Sequence, residues 1–440
     1  MGRRAGESRQ IALCLREDLI MTHIAVIGAG ITGVTTAYAL IERGYRVTVL
    51  DRHRYAGMET SFANGGQLSA SNAEVWNKLS TIMQGLRWMK QADAPLLMNP
   101  RPTWHKLSWM AQFAGHIMHY RRNTLETVRL AIAAREHLLA MAEKEHIDFD
   151  LEKRGILHIY RDRMSFQKAA AVNVLLKEGG LDRFAVTPDE ITHIEPTLSG
   201  AYYGGFFTPS DSTGDVHKFT RGLAAACMRR GVVFHYDADV EAITPESGGH
   251  VLRWRTGHGE TQALHADAVV ICAGVASRQF ASMLGDRLNI YPVKGYSITI
   301  NLLDEASQNA APTVSILDEA TKIVSSRFGR DRFRVAGTAE FNGYNRDIRD
   351  DRVRPLIEWT RAQFPGVATD RVVPWSGLRP MMPNMLPRVG RGRRPGVYYN
   401  TGHGHLGWTL SAATAQMVAQ SISGDLAPDI ASPVMVRRAA

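Results

Sequence analysis

Residues 24–52 read IAVIGAGITGVTTAYALIERGYRVTVLDR, and this order of parts leaves few folds open. An apolar run at 24–27 meets glycines at Gly28, Gly30 and Gly33. A helical pattern follows over 31–43, Gly44 stops it, and a second strand at 46–50 ends on Asp51. Gly28 makes the tight turn, Gly30 lets backbone approach a pyrophosphate, and Gly33 lets the helix lie close on the sheet. The helix N-terminus offers N–H groups and the positive end of its dipole to phosphate. An acid about 20 residues further on is placed to accept the hydroxyls of an adenosine ribose. The unit binds an ADP moiety, of either FAD or NAD(P).

The rest of the chain is consistent with a two-domain globular protein: 440 residues, 45% apolar and 22% charged. The formal charge of +9 suits anionic partners, but no aromatic-and-basic nucleic-acid module is visible. Cys14, Cys227 and Cys272 are scattered, which excludes a disulfide framework or a zinc site of known spacing. No metal site is expected. No apolar run approaches the ~20 residues needed to span a bilayer. Residues 1–21 lack signal-peptide features and are expected to be a dispensable extension.

The elements interleave. Residues 73–150 are helical in character, 151–210 alternate short strands with loops, and 232–275 hold strands ending in the buried run ADAVVICAG. Further strands lie over 288–341, a helix over 352–364, and a last strand feeds a helix at about 409–423. The expected fold is α/β: a Rossmann-like dinucleotide-binding domain assembled from 22–75, 190–287 and 370–430. A mixed-β substrate domain with a helical layer, 76–189 and 288–369, is inserted between those pieces.

Three glycine-bearing segments decide the cofactor. The loop AGMETSFANGGQLS follows Asp51, where a simple NAD unit would enter its next helix. ADAVVICAGVAS is a buried strand ending at Ala273-Gly274, where backbone must approach a ligand. NTGHGHLGWTLSAAT is a strand, a glycine turn and a helix start, whose dipole can face the pyrimidine end of a flavin. One dinucleotide unit matched by a distant glycine turn suits FAD lying through the whole domain. A separate NAD(P)H site is not expected. The expected cofactor-binding residues are Gly28, Ala29, Gly30, Ile31, Thr32, Gly33, Asp51, Arg52, Thr60, Ser61, Asn64, Gly65 and Gly66 near the N-terminus. Val240, Ala273, Gly274, Gly402, Gly404, Gly407, Trp408 and Thr409 complete them. Attachment is expected to be noncovalent: no Cys follows Cys272, and no His lies in 58–70.

At this point the chain resembles the D-amino acid dehydrogenases, within the wider D-amino acid oxidase, glycine oxidase and sarcosine oxidase group. The carriers are ETSFANGGQ (59–67), PVKGYSIT (292–299), ILDEATKIVSSRF (316–328), WSGLRPMMPN (375–384) and NTGHGHLGWT (400–409). His405 departs from the group, which usually has a small polar residue there. The resemblance implies FAD-dependent oxidative deamination of a D-amino acid to a 2-oxo acid and ammonia, by hydride transfer to flavin N5, with electrons passed to a quinone or other non-oxygen acceptor. Cyclic D-imino acids as substrates, or oxygen as acceptor, remain open alternatives.

Four residues are candidates for the substrate site. Arg379 lies in an apolar, Pro-flanked stretch where a cation is costly to bury without an anion, and a carboxylate needs a planar donor. The resemblance places a carboxylate-binding Arg there. Lys322 is placed on a strand, facing the substrate or flavin, as the resemblance implies, or else solvent. Tyr296 either closes the pocket or packs in the sheet. Gln67, with Asn64, either reaches the flavin edge or makes local turn bonds. His403 and His405 read better as wall residues than as a base.

Residues 76–122 hold four of the eight Trp (Trp76, Trp88, Trp104, Trp109) among mainly basic charges. This composition suits either an interfacial helix on an anionic membrane or a helical lid. With the quinone implied by the resemblance, the expected location is cytoplasmic, peripheral on the inner face of the cell membrane.

Overall fold

The computed structural model describes residues 21–88 and 94–426. The expectation for the N-terminal extension falls almost wholly on residues 1–20, outside the described residues. A six-stranded sheet carries the dinucleotide unit, in the order Arg388–Arg391, Val397–Thr401, Ala268–Ile271, His23–Ile27, Arg46–Leu50, Val233–His235. All pairs are parallel except the Arg388–Arg391 edge. Its strands are apolar on both faces because both faces are covered, as parallel sheets require. Helices Ile31–Ile41, Val216–Arg229 and Gly407–Leu426 bury one face around Val26, Val49, Phe219 and Ala415. An antiparallel meander, Ala238–Glu246, Gly249–Thr256 and Thr261–Ala266, closes the other around Ile27, Leu50, Leu252 and Ile271.

The first strand turns into its helix as the motif requires. A Cβ on Gly28, at φ +106°, would stand 2.6 Å from the Cys272 carbonyl oxygen. A Cβ on Gly33 would stand 1.8 Å from the Gly28 carbonyl oxygen. Both contacts are impossible, so the turn admits only glycine at these two places.

A second, mixed sheet runs Val372–Met381, Tyr291–Asn301, Arg332–Phe341, Ile323–Phe328, Ser315–Asp318, Ile156–Tyr160, Gly204–Thr208, Phe184–Val186, with Leu96–Met98 paired to Arg332–Phe341. One face packs on helix Asp350–Gln363 around Ile298, Phe333, Leu356 and Trp359. The other meets the loop after Asp51: Ser297 Oγ donates to the Ala63 carbonyl and Ser326 Oγ to the Gly65 carbonyl, each at 2.7 Å. Sheet membership corrects two expected boundaries. Gly204–Thr208 and Val372–Met381 were expected on the cofactor side, within 190–287 and 370–430. Both hydrogen-bond into the substrate-side sheet. Non-local pairing decides which sheet a short apolar strand joins, and its own sequence does not record it.

Candidate active site

The two sheets enclose one cavity of about 1480 Å³. The pyrophosphate turn lines it through Gly28, Gly30, Ile31 and Thr32. Helix Ile31–Ile41 has Gly30 at its N-cap with no side-chain cap and no acid in its first turn. Helix Gly407–Leu426 likewise has no acid in its first turn and opens on the same cavity through Gly407, Trp408 and Thr409. Two uncompensated positive helix ends on one cavity fit a ligand with anionic groups along its length.

Asp51 sits between them and the meander. Its Oδ2 accepts the Ala29 N–H at 2.6 Å and its Oδ1 the His53 N–H at 2.8 Å, while burial pushes its pKa up. Arg52, Thr60, Ser61, Asn64, Gly65, Gly66, Val240, Ala273, Gly274, Gly402 and Gly404 all line the cavity. Ala29 and Gly33 are not on its wall. They shape the turn from behind, Ala29 through Asp51 and Gly33 through its contact with Gly28. Asn64 Oδ1 accepts the Gly66 N–H at 2.9 Å, a local turn bond. Ser61 Oγ accepts the Ile31 N–H at 3.0 Å and ties the loop to the helix N-terminus.

Arg379 lies on the cavity face of its strand. It pairs across to Val293, so it shares that face with Gly295 two residues on. The guanidinium lies against the Gly295 backbone: a Cβ there would stand 2.4 Å from Cζ and Nη2. Arg379 is half-buried and enclosed enough that burial alone lowers its pKa to about 10. Among the described residues no acid pairs with it. A planar cation held over a glycine without a counter-ion has the chemistry to pair with a carboxylate.

Its neighbour His405 stacks on Trp76, with centroids 4.5 Å apart. Its Nε2–H donates to the Asn72 carbonyl at 3.3 Å, and its Nδ1 is buried without a partner. Burial, then the Arg379 charge, push its pKa down to about 4. His403 is buried, bonded through Nε2 to Thr414 Oγ1 at 2.9 Å, and pushed down to about 3. Both are neutral wall residues.

Lys322 also reaches the cavity, but not from a strand. It occupies the turn before Ile323–Phe328 at φ +56°, because the hairpin reverses there. Its Nζ pairs with Glu319, and this contact outweighs burial in raising its pKa. Glu319 stays well below the usual carboxylate range: burial raises it, but Lys322 and His158 outweigh that. Buried His158 donates from Nδ1 to Glu319 Oε1 at 3.1 Å, so its Nε2 accepts the Ser71 hydroxyl at 2.9 Å.

Tyr296 reaches the cavity along its strand, but its ring points to the opposite face from Arg379, into the core with Ile298 and Leu356. Its hydroxyl donates to the Asp347 carbonyl at 3.4 Å. Packing, not pocket closure, describes that ring. Gln67 Nε2 donates to Ser315 Oγ at 2.8 Å, and its Oε1 is buried without a partner. Sequence reasoning did not single out Glu319, His158, Ser71 or Gly295. Glu319 and Gly295 lie inside stretches that carry the resemblance, but His158 is visible only once two distant strands pair.

The profile of the family described as "FAD dependent oxidoreductase" matches residues 23–421. The chain belongs to that family. It is 62% identical over 409 residues to D-amino acid dehydrogenase 3 of Mesorhizobium japonicum, covering 93% of this chain and 99% of the relative. It is 42% identical to a D-amino acid dehydrogenase of Dechloromonas aromatica, covering 91% and 97%. Glycine oxidase of Geobacillus kaustophilus shares the fold, with TM-score 0.71 at 19% identity over 92% of this chain and 96% of that one. An L-proline dehydrogenase of P. horikoshii does so with TM-score 0.69 at 16% identity, covering 92% and 94%. The glycine turn, the two open helix ends and Asp51 fit FAD, the cofactor of this family.

Proposed function

We propose that this chain oxidises D-amino acids to 2-oxo acids and ammonia, holding FAD noncovalently and passing the electrons to a quinone. The observation that carries the reading is Arg379, a cation on the cavity wall with no acid partnered to it. The flavin, when bound, supplies the acceptor for the hydrogen leaving Cα. Gly28–Thr32 and the first turn of Gly407–Leu426 hold its charged and polar parts. Arg379 takes the substrate carboxylate and fixes the orientation of Cα. Neutral His405, stacked on Trp76, walls the site beside Arg379 without adding charge. No general base is assigned: Glu319 is held by Lys322 and His158, and an amine bound neutral needs none. Hydrolysis of the released imino acid is left to water.

Noncovalent attachment is supported by Cys272, the one described cysteine on the cavity wall. Its thiol is buried, pushed up to about 12 and turned toward Thr36 Oγ1. Delivery to a quinone favours contact with a membrane, and among the described residues no helix is long and apolar enough to cross one. The stretch 101–122 supports peripheral contact: on helix Trp104–Gly115 Trp104 is 82% exposed and Leu107 is exposed, Met118 is exposed in the turn Ile117–His119 after it, and Arg101 and Arg122 are exposed at the two ends. Trp109 does not belong to this surface. It is buried and donates from Nε1 to the Met381 carbonyl at 2.8 Å. Trp76 stacks inside on His405, and residues 89–93 of the stretch lie outside the described residues.

The test is anaerobic bleaching of the purified yellow protein by a panel of D-amino acids, D-proline included, followed by reoxidation with a soluble quinone or with oxygen. Bleaching by D-alanine and faster return with quinone are expected. Bleaching by cyclic imino acids alone would move the substrate class, and faster return with oxygen would make the enzyme an oxidase. Acid precipitation should leave FAD in the supernatant.

A further inference from the structure

Another part of the same cavity wall is built by strand Ile156–Tyr160, helix Arg163–Glu178 and Arg183. Arg183 is 2% exposed. Its guanidinium lies over the Phe206 ring, 4.7 Å from the centroid. Nη2 makes one long contact to the Tyr160 hydroxyl at 3.4 Å, and Nε is buried with no partner. Among the described residues no carboxylate lies within salt-bridge distance of it. An aromatic ring satisfies the face of a guanidinium, but its N–H donors point outward in the plane and still require acceptors. A buried cation in this state is costly unless an anion reaches it.

The charged groups around it do not supply one. Glu319 is committed to Lys322 and His158. His158 is neutral, with burial and then Arg183 itself pushing it down to about 4. The cluster of Lys322, Glu319, His158 and Arg183 therefore carries one positive charge in excess, and exposed Lys168 adds to it at the cavity wall. The histidines in the fields of Arg183 and Arg379 bond to the consecutive residues Ser71 and Asn72. His405, beside Arg379, bonds the Asn72 carbonyl, while His158, within the field of Arg183, bonds the Ser71 hydroxyl.

We propose that Arg183 is a second anion subsite of the cavity, which takes the side-chain carboxylate of a dicarboxylic D-amino acid while Arg379 takes its α-carboxylate. This rests on the reading of the cavity as a D-amino acid site and names its preferred substrate class. The guanidinium over Phe206 keeps an unpartnered N–H donor for a carboxylate, and Leu175 and Val172 add apolar lining to the same cavity, where a low dielectric strengthens such a contact.

The test uses the flavin-bound protein and two readouts. The first is the flavin absorbance change on titration with succinate, glutarate and adipate, against acetate and butyrate. At least one dicarboxylate should bind tenfold or more tighter than butyrate, with the best chain length reporting the Arg379-to-Arg183 spacing. Arg183→Gln should abolish that preference and Arg183→Lys retain part of it. The second is the ratio of kcat/KM for D-glutamate or D-aspartate to that for D-alanine. It should fall tenfold or more in Arg183→Gln, the loss expected for one charge-assisted hydrogen bond. If Arg183→Gln does not hold flavin, Arg183→Lys carries both comparisons, with a lowered ratio expected. Equal binding of mono- and dicarboxylates by the unaltered protein, or a preference and ratio untouched by substitution, overturns the subsite. If the spectral preference is present but neither D-alanine nor D-glutamate bleaches the flavin, the oxidation reading fails and the subsite stands.

Discussion

Replacing Gly295 by alanine tests the carboxylate site without touching the arginine that forms it. Gly295 has ordinary extended backbone, so alanine is conformationally acceptable there. The new methyl would meet Arg379 Cζ and Nη2 at 2.4 Å and Nη1 at 2.7 Å, where ordinary contact begins at 3.4 Å. The guanidinium must therefore retreat by about 1 Å, enough to spoil a bidentate geometry. The obstructing atoms are the far end of a flexible side chain, so the fold itself loses little. Loss of one of two charge-assisted hydrogen bonds costs about 1.5–3 kcal/mol, or roughly ten- to a hundred-and-fifty-fold in kcat/KM. The assay is dye-linked turnover with D-alanine, together with flavin content and thermal melting. Expected is a loss of that size, with FAD retained and Tm within about 2 °C of the unaltered protein. A kcat/KM within twofold of the starting value, in a folded and yellow variant, would refute the placement of the substrate carboxylate on Arg379.

Arg379→Ala should cost at least as much as Gly295→Ala, and Arg379→Lys less than Arg379→Ala, since lysine keeps the charge but not the fork; near-normal kinetics in both would make Arg379 structural. Burial holds His158 and His405 at about 4 and His403 at about 3, below the value near 6.5 of an unfolded histidine. Between pH 6.5 and 5 the unfolded chain therefore binds protons that the folded chain refuses, so stability falls as pH falls, and His403→Gln should flatten that decline in a thermal-melting series. A slope unchanged by the substitution counts against the buried neutral imidazole. Sedimentation with anionic vesicles at low salt, reduced at high salt, is expected of the unaltered protein. Replacing Trp104, Leu107 and Met118 with serine should release it while dye-linked turnover survives, and equal sedimentation of both proteins would remove this surface from the membrane contact.

The dinucleotide unit was legible because everything that defines it is local. Strand, turn, helix and acid lie within one stretch, and the parallel pairing of His23–Ile27 with Arg46–Leu50 follows from it. The distant turn at Gly402–Thr409 was legible for the same reason. Arg379 was legible because a cation between leucine and proline has few bland explanations. Lys322 was placed on a strand because Ile323 and Val324 continue an apolar run. Nothing in that run records that the hairpin needs a positive φ at the lysine itself. Trp109 illustrates a different failure. Composition counted it with Trp104, but a helix gives its residues separate faces, and only its packing partners Phe113, Tyr291 and Phe341 show which way it points.

Charge shows most directly what pairing conceals from a one-dimensional reading. On the cavity wall three acids are matched to side chains: Glu59 by Arg346, Arg52 and His53, Glu74 by Lys78 and Tyr120, Glu319 by Lys322 and His158, while Asp51 accepts the backbone N–H groups of Ala29 and His53. Arg379 and Arg183 are the basic groups there that are enclosed yet face no acid partner. Sequence alone lists 52 basic and 43 acidic residues and cannot say which will neutralise which. Folding settles the assignment by bringing Glu319 to a histidine 161 positions away, one that also lies in the field of Arg183. What remains is a cavity with positive helix ends for the cofactor's anionic groups and two separate guanidiniums. That pattern suits a substrate carrying more than one carboxylate better than a purely aliphatic one, because a neutral side chain would leave Arg183 as it stands now, buried and without an anion.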